Sequence, residues 1–163
     1  MQICSYPLSL TDMEFVLASR NKKKIGEMNT LLSKCCAGEV KVLSLDDIGF
    51  FGDIEEDGDT FEKNSAIKAC APAKMGYIGI ADDSGLCVDA LNGEPGVYSA
   101  RYGFDDTLDD WGRLELLLKN TEHVPDGQRQ AQFVCVITMV TPDGQTIQAR
   151  GEIHGELTRE PAG

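Results

Sequence analysis

Two adjacent carboxylates, Asp82 and Asp83, follow the apolar run Tyr77-Ile78-Gly79-Ile80-Ala81 and precede Ser84 and Gly85. A carboxylate at the end of a buried strand demands a metal, a cation or hydrogen-bond donors. The pair is therefore a candidate hard-cation ligand or general base. The plainer alternative is a solvated Asx-turn, and these four residues alone do not separate the two. Ser84 and Gly85 are expected to turn the chain, with Leu86-Cys87-Val88 resuming an extended pattern. If the strand continues instead, alternation sends Asp82 and Asp83 to opposite sides. One then holds local structure while the other faces a cleft.

A second group stands where a strand gives way to a helix. Glu14-Phe15-Val16-Leu17-Ala18 reads as a buried strand, and Ile25, Met28, Leu31, Leu32 and Cys35 mark the apolar stripe of the next helix. Between them lie Ser19-Arg20-Asn21-Lys22-Lys23-Lys24. In open α/β folds ligands bind at the carboxyl ends of strands. Free backbone N–H groups and the positive end of the helix dipole favour phosphate there. Ser19 and Asn21 suit either donation to phosphate oxygens or capping of the helix. Lys22 and Lys23 read as solubilising charges. Lys24, close to one turn beyond Asn21, is the better ligand cation.

A third group is the acidic turn Asp53-Ile54-Glu55-Glu56-Asp57-Gly58-Asp59. Most of such a charge run is a solvated loop, but one carboxylate is placed to complete a cation site with Asp83. Asp59 and Thr60 are candidate N-caps, and Asp59 with Glu62 resembles a capping box. The helix they open is predicted over 61–75, with Pro72 kinking or shortening its last turn. Asn64 and Lys68 are four apart and share one face, which in the bland account is merely exposed.

The remaining pattern supplies supporting elements. Val40-Lys41-Val42-Leu43-Ser44 alternates as a strand, and 107–120 reads as a helix with Leu108, Trp111, Leu114, Leu117 and Leu118 as its stripe. Residues 130–140 and 145–155 read as two strands joined by Thr141-Pro142-Asp143-Gly144. Tyr98 and Tyr102 flank Arg101, an arrangement that suits a nucleotide border or equally an interface or core. His123 and His154 stand alone and receive no catalytic role.

Composition limits the partners. The chain has 163 residues, one domain's worth, with 42% hydrophobic and 26% charged residues. Its net charge of −12 repels nucleic acid and anionic membranes. An anionic substrate must therefore meet local lysines, helix N-termini or a divalent cation. No apolar run reaches transmembrane length, and residues 1–13 lack signal-peptide character. Cys4, Cys35, Cys36, Cys70, Cys87 and Cys135 form no Cys-x-x-Cys pair. They read as small core hydrophobes in a reducing, cytoplasmic compartment, and zinc is not expected.

Three separated segments, LASRNKKK (17–24), EEDGDTFEKNSAIKA (55–69) and ADDSGLCVDALNGEPGVYSARYG (81–103), resemble the inosine-triphosphate pyrophosphatase family. These are the house-cleaning nucleoside-triphosphate pyrophosphatases. GELTREPAG (155–163) matches a segment near that family's base-binding region. The resemblance implies an elongated α/β fold, with a mixed central β-sheet flanked by helices and two lobes with a cleft. It implies a homodimer and Mg²⁺. The implied reaction is hydrolysis of purine nucleoside triphosphates (ITP, dITP, XTP) to the monophosphate and pyrophosphate.

By this resemblance Ser19, Asn21 and Lys24 fall on the family's phosphate loop, Thr/Ser-x-Asn-x-x-Lys. Glu56, with Glu55 beside it as the alternative, falls on the metal-binding glutamate. Lys68 falls on the lysine that faces the phosphates, with Asn64 one turn earlier as a substrate-binding residue. Asp83 falls on the metal-linked aspartate assigned as the base, and Ser84 on a substrate-contacting serine. The residue types suit Mg²⁺, which uses few carboxylates together with substrate phosphates and water.

The domain of this kind is expected over 14–163, with 1–13 as an extension. The family continues with a Phe-Gly-Tyr-Asp-Pro-type loop, a further lysine and a Ser-His-Arg motif that hold the purine. The sequence thus predicts that most of the base-recognition half and a final helix are absent. A catalytically impaired, nucleotide-binding or dimerising remnant is the alternative function.

Overall fold

The computed structural model describes residues 13–35, 40–105 and 107–161. The extension expected at 1–13 lies outside the described residues except for Met13, which opens the first strand. The elements in order are β1 (Met13–Leu17), α1 (Lys22–Cys35), β2 (Val40–Leu43), α2 (Phe61–Ala73), β3 (Ile78–Val88), α3 (Asp110–Asn120), β4 (Gln130–Val140) and β5 (Thr146–Glu156). They form a five-stranded sheet of order β2-β1-β3-β4-β5. β1 runs parallel to both neighbours, with Phe15 opposite Val42 on one side and Ile78 on the other. This is the α/β class with a mixed sheet that the resemblance implied.

β3 overturns one expectation. No turn interrupts it at Ser84-Gly85; eleven residues run extended from Ile78 to Val88. Ala81, Asp83 and Gly85 are buried on one side, while Asp82 and Ser84 are half-buried on the other. Gly85 makes the continuation possible. A Cβ there would lie 2.3 Å from the Gly96 carbonyl oxygen and 2.5 Å from Ser99 Oγ. A backbone approach that close needs glycine.

The chain gathers into two compact units. The first takes residues up to Glu55, Ala66–Ala81 and Met139–Ile147. β1 is its buried centre, with Phe15, Val16 and Leu17 at most 4% exposed. Ala69, Ala73, Ala81 and Val140 pack beside Ala18 and Cys70. These small side chains let α2 lie close to β3. A Cβ on Gly79 would stand 2.0 Å from the Ala69 carbonyl oxygen. α2 stops at Ala73 rather than Met75. The Met75 and Gly76 N–H groups bond back to Pro72 and Ala73 in a tight turn, with Gly76 at φ +93°.

The second unit takes Glu56–Ser65, Asp82–Thr138 and Gln148–Gly163. One cluster joins Val88, Tyr102, Leu117 and Ala131; another joins Phe61, Val134 and Val136. α3 begins at Asp110, later than expected, because Asp109 caps it and accepts the Gly112 N–H at 2.8 Å. Asp105 meanwhile holds Thr107 in a separate turn. Of the expected stripe only Leu117 is fully buried, and Trp111 is 56% exposed, donating to Glu115. Arg129 is buried at the carboxyl end of α3. It donates to the carbonyls of Thr121 and Val124 and to those of Leu157 and Thr158. A cation suits the negative end of the helix dipole.

No helix among the described residues is long and apolar enough to cross a membrane. Among the described residues Cys35, Cys70, Cys87 and Cys135 are not in disulfides, Cys35 is exposed, and burial pushes the Cys87 thiol up.

Candidate active site

The β1–α1 junction lies within the first unit. α1 begins at Lys22, directly after Asn21, whose Oδ1 accepts the Lys23 N–H at 2.9 Å and the Lys24 N–H at 3.3 Å. Ser19 Oγ accepts the Asn21 N–H at 3.1 Å. Asn21 thus caps α1, one of the two roles its type allowed, while Ser19 braces the capping residue from two positions earlier. The Lys22, Lys23 and Lys24 side chains are exposed. Arg20 is the residue that sequence reasoning passed over. Its Nε donates to Asp46 at 2.9 Å and its Nη2 to the carbonyls of Phe50 and Gly52, each at 3.1 Å. The cation in the middle of this loop is therefore committed to fixing the loop.

The acidic turn enters α2 in the second unit. Thr60 is the cap: its Oγ1 accepts the Lys63 N–H at 3.2 Å. Asp59, the other candidate, instead pairs with Lys63 Nζ at 2.6 Å, and that contact lowers its carboxyl pKa. Glu56 is half-buried whereas Glu55 is exposed. Asn64 is 1% exposed, and its Oδ1 accepts the Gly58 N–H at 2.8 Å. Lys68 lies one turn further along α2, half-buried, in the part belonging to the first unit.

Asp83 is 8% exposed and its Oδ2 has no contact with solvent. A carboxylate oxygen so placed calls for positive charge or donors. Among the described residues no group of three or more His, Cys, Asp and Glu is arranged to hold a metal ion. Hard carboxylate donors in small number fit Mg²⁺, which completes its shell with water and phosphate. Ser84 follows on the opposite side of β3. Tyr102 is core, while Tyr98 is exposed, its ring tilted against that of Phe104 with centroids 5.4 Å apart and lying beneath Arg101 at 5.1 Å.

A description of the Ham1 family matches residues 15–163. The chain belongs to that family. Similar curated proteins include the dITP/XTP pyrophosphatases of Corynebacterium efficiens, 44% identical over 93% of this chain and 73% of its own length, and of Geobacter sulfurreducens, 42% identical over 91% and 73%. Among solved structures, the nucleoside-triphosphatase / dITP/XTP pyrophosphatase of Mycobacterium abscessus superposes with a TM-score of 0.81 at 40% identity, covering 93% of this chain and 77% of that one. The Staphylococcus aureus Ham1 protein superposes at 0.82 with 40% identity, covering 92% and 74%. The family expected from the three segments is therefore the family found.

Within this Ham1-family chain, GELTREPAG carries the end of β5 and the residues after it. Besides Arg129, Arg159 holds that stretch, donating to Asp126 and to the carbonyls of Glu122 and Val124. Nothing in residue type or spacing singled out either arginine. Both act through carbonyls distant in sequence, which leave no local pattern.

Proposed function

We propose that this Ham1-family chain hydrolyses non-standard purine nucleoside triphosphates (dITP, ITP, XTP) to the monophosphate and pyrophosphate, with Mg²⁺. The observation that carries this reading is a buried aspartate, Asp83, on a strand of a chain 44% identical to a dITP/XTP pyrophosphatase. In this reading Ser19, Asn21 and Lys24 hold phosphate oxygens at the start of α1, where the positive end of the helix dipole favours anions. Lys68 balances charge on the departing pyrophosphate. Glu56 and Asp83 hold the ion, and Ser84 contacts substrate. Bound Mg²⁺ supplies charge neutralisation at the phosphoryl oxygens and a more acidic water. Asp83 takes the proton of the attacking water. Oxygen joins phosphorus, the anhydride bond breaks, and nucleoside monophosphate and pyrophosphate leave.

A homodimer and a cytoplasmic location belong to the same proposal. Folded phosphate-loop and acidic segments favour an enzyme over a remnant. The test is pyrophosphate release from dITP, XTP and dGTP with and without Mg²⁺. Mg²⁺-dependent release from dITP and XTP is expected. Release of orthophosphate alone, or no release from any of the three, sinks the reading.

A further inference from the structure

The Asn64 side chain is among the most deeply buried in the protein, at 1% exposed. Its amide oxygen points back along the chain and accepts the Gly58 N–H at 2.8 Å. Gly58 fits against it without spare room: a Cβ would stand 2.5 Å from Asn64 Oδ1 and 2.8 Å from Lys63 Cβ. The same stretch is closed by the Asn64 N–H on the Thr60 carbonyl at 3.1 Å, by Lys63 N–H on Thr60 Oγ1 and by the Lys63–Asp59 pair. All of these contacts fall within 56–65, one continuous segment of one unit. Glu56 stands two residues ahead of the clamped glycine.

We infer that Asn64 is a positioning residue, whose buried amide fixes the acidic turn so that Glu56 is presented to the divalent ion. A side chain at this burial, with its acceptor turned inward, is placed to hold protein rather than substrate. The residue type fits the task. An amide is a neutral acceptor of the right length, whereas Asp would bury a charge and Ala would leave the Gly58 N–H without this acceptor. Supports of this kind set the orientation of the groups that touch a metal. The inference rests on Glu56 as a ligand, so the experiment separates the two.

Mn²⁺ alone is titrated into the full chain and followed by electron paramagnetic resonance, beside thermal unfolding of each variant. Glu56→Gln tests the ligand. Asn64→Ala removes the clamp, and Gly58→Ala breaks the same contact from the loop side. Ser65→Ala is the control, because it cuts a buried hydroxyl pair with Thr138 (2.6 Å) next door without touching the turn. Glu56→Gln, Asn64→Ala and Gly58→Ala are each expected to weaken Mn²⁺ by about tenfold or more, while Ser65→Ala destabilises and binds normally. Normal binding by Asn64→Ala and Gly58→Ala, with Glu56→Gln impaired, overturns the clamp and leaves Glu56 a ligand. Normal binding by Glu56→Gln overturns Glu56 as a ligand and the clamp's purpose with it. Equal loss in Ser65→Ala overturns the specific role of Asn64. Should Asn64→Ala not fold, Gly58→Ala decides alone.

Discussion

The Ser99 hydroxyl accepts the Leu86 N–H at 2.9 Å and donates its own O–H to the Gly96 carbonyl at 2.6 Å. One side chain thereby pins β3 just beyond Asp83 to the loop that follows it. Removing the hydroxyl strips a part-buried backbone donor of its partner, which costs about 1–3 kcal/mol. Ser99→Ala is therefore expected to lower the urea midpoint with an unchanged m-value. Gly85→Ala should be worse, since its Cβ would meet the rigid Gly96 carbonyl at 2.3 Å. If Gly85→Ala is the milder of the two, the packing described for β3 is wrong.

Asp83 offers a separation of activity from stability. The carboxylate is buried, and burying charge is expensive even when it is compensated. Asp83→Asn keeps the shape and removes the charge. Pyrophosphate release should fall by at least ~10²-fold, as for loss of a general base, while the melting temperature stays level or rises. A variant that retains its rate excludes Asp83 as the base; one that loses both rate and fold assigns the residue to structure.

Much of this was legible in the sequence, and the failures have physical causes. The β1–α1 junction announced itself because strand, short polar caps and helix stripe are all local patterns. The acidic pair was legible as chemistry, but its setting was not. Ser84-Gly85 carries turn composition, yet Gly85 is needed for contact with Gly96 and Ser99, more than ten residues away. Asn64 read as a substrate-binding residue on one helix face with Lys68, merely exposed in the bland account, and its burial was not foreseen. Its burial depends on Gly58 folding back onto the helix start, which periodicity does not encode. The late start of α3 came from two aspartates competing to cap, Asp105 for its own turn and Asp109 for the helix. The matched segments carried the family and the fold class, which spacing alone left open, but not these local details.

Lys24 tests the phosphate loop. It sits in the first turn of α1, where its own N–H bonds to Asn21, and the residue is exposed. A cation that binds the outer phosphates should matter to a triphosphate and much less to a monophosphate. A hydrogen bond to a charged group contributes about 1.5–3 kcal/mol, so Lys24→Ala should weaken dITP by roughly tenfold or more and barely change dIMP. Calorimetry with both nucleotides checks this. Equal losses for the two would take Lys24 out of the phosphate site.

The last prediction concerns acid. Glu62, in the first turn of α2, receives Arg150 Nη1 from β5 at 2.7 Å. That hydrogen bond, followed by a backbone one, holds the Glu62 carboxyl below the usual glutamate value. A depressed folded pKa means the ionised form favours the fold, so the contribution is complete above the unfolded value of roughly 4.3 and is lost as pH falls through the lower folded one. The side chains are 37% and 41% exposed, so screening keeps the contribution to at most about 1 kcal/mol. Glu62→Gln should therefore be less stable than the parent at pH 7, and the two urea curves should converge as pH drops below the ordinary glutamate range. A gap that persists unchanged at low pH would assign it to packing around Glu62, because a protonated carboxyl no longer forms the ion pair.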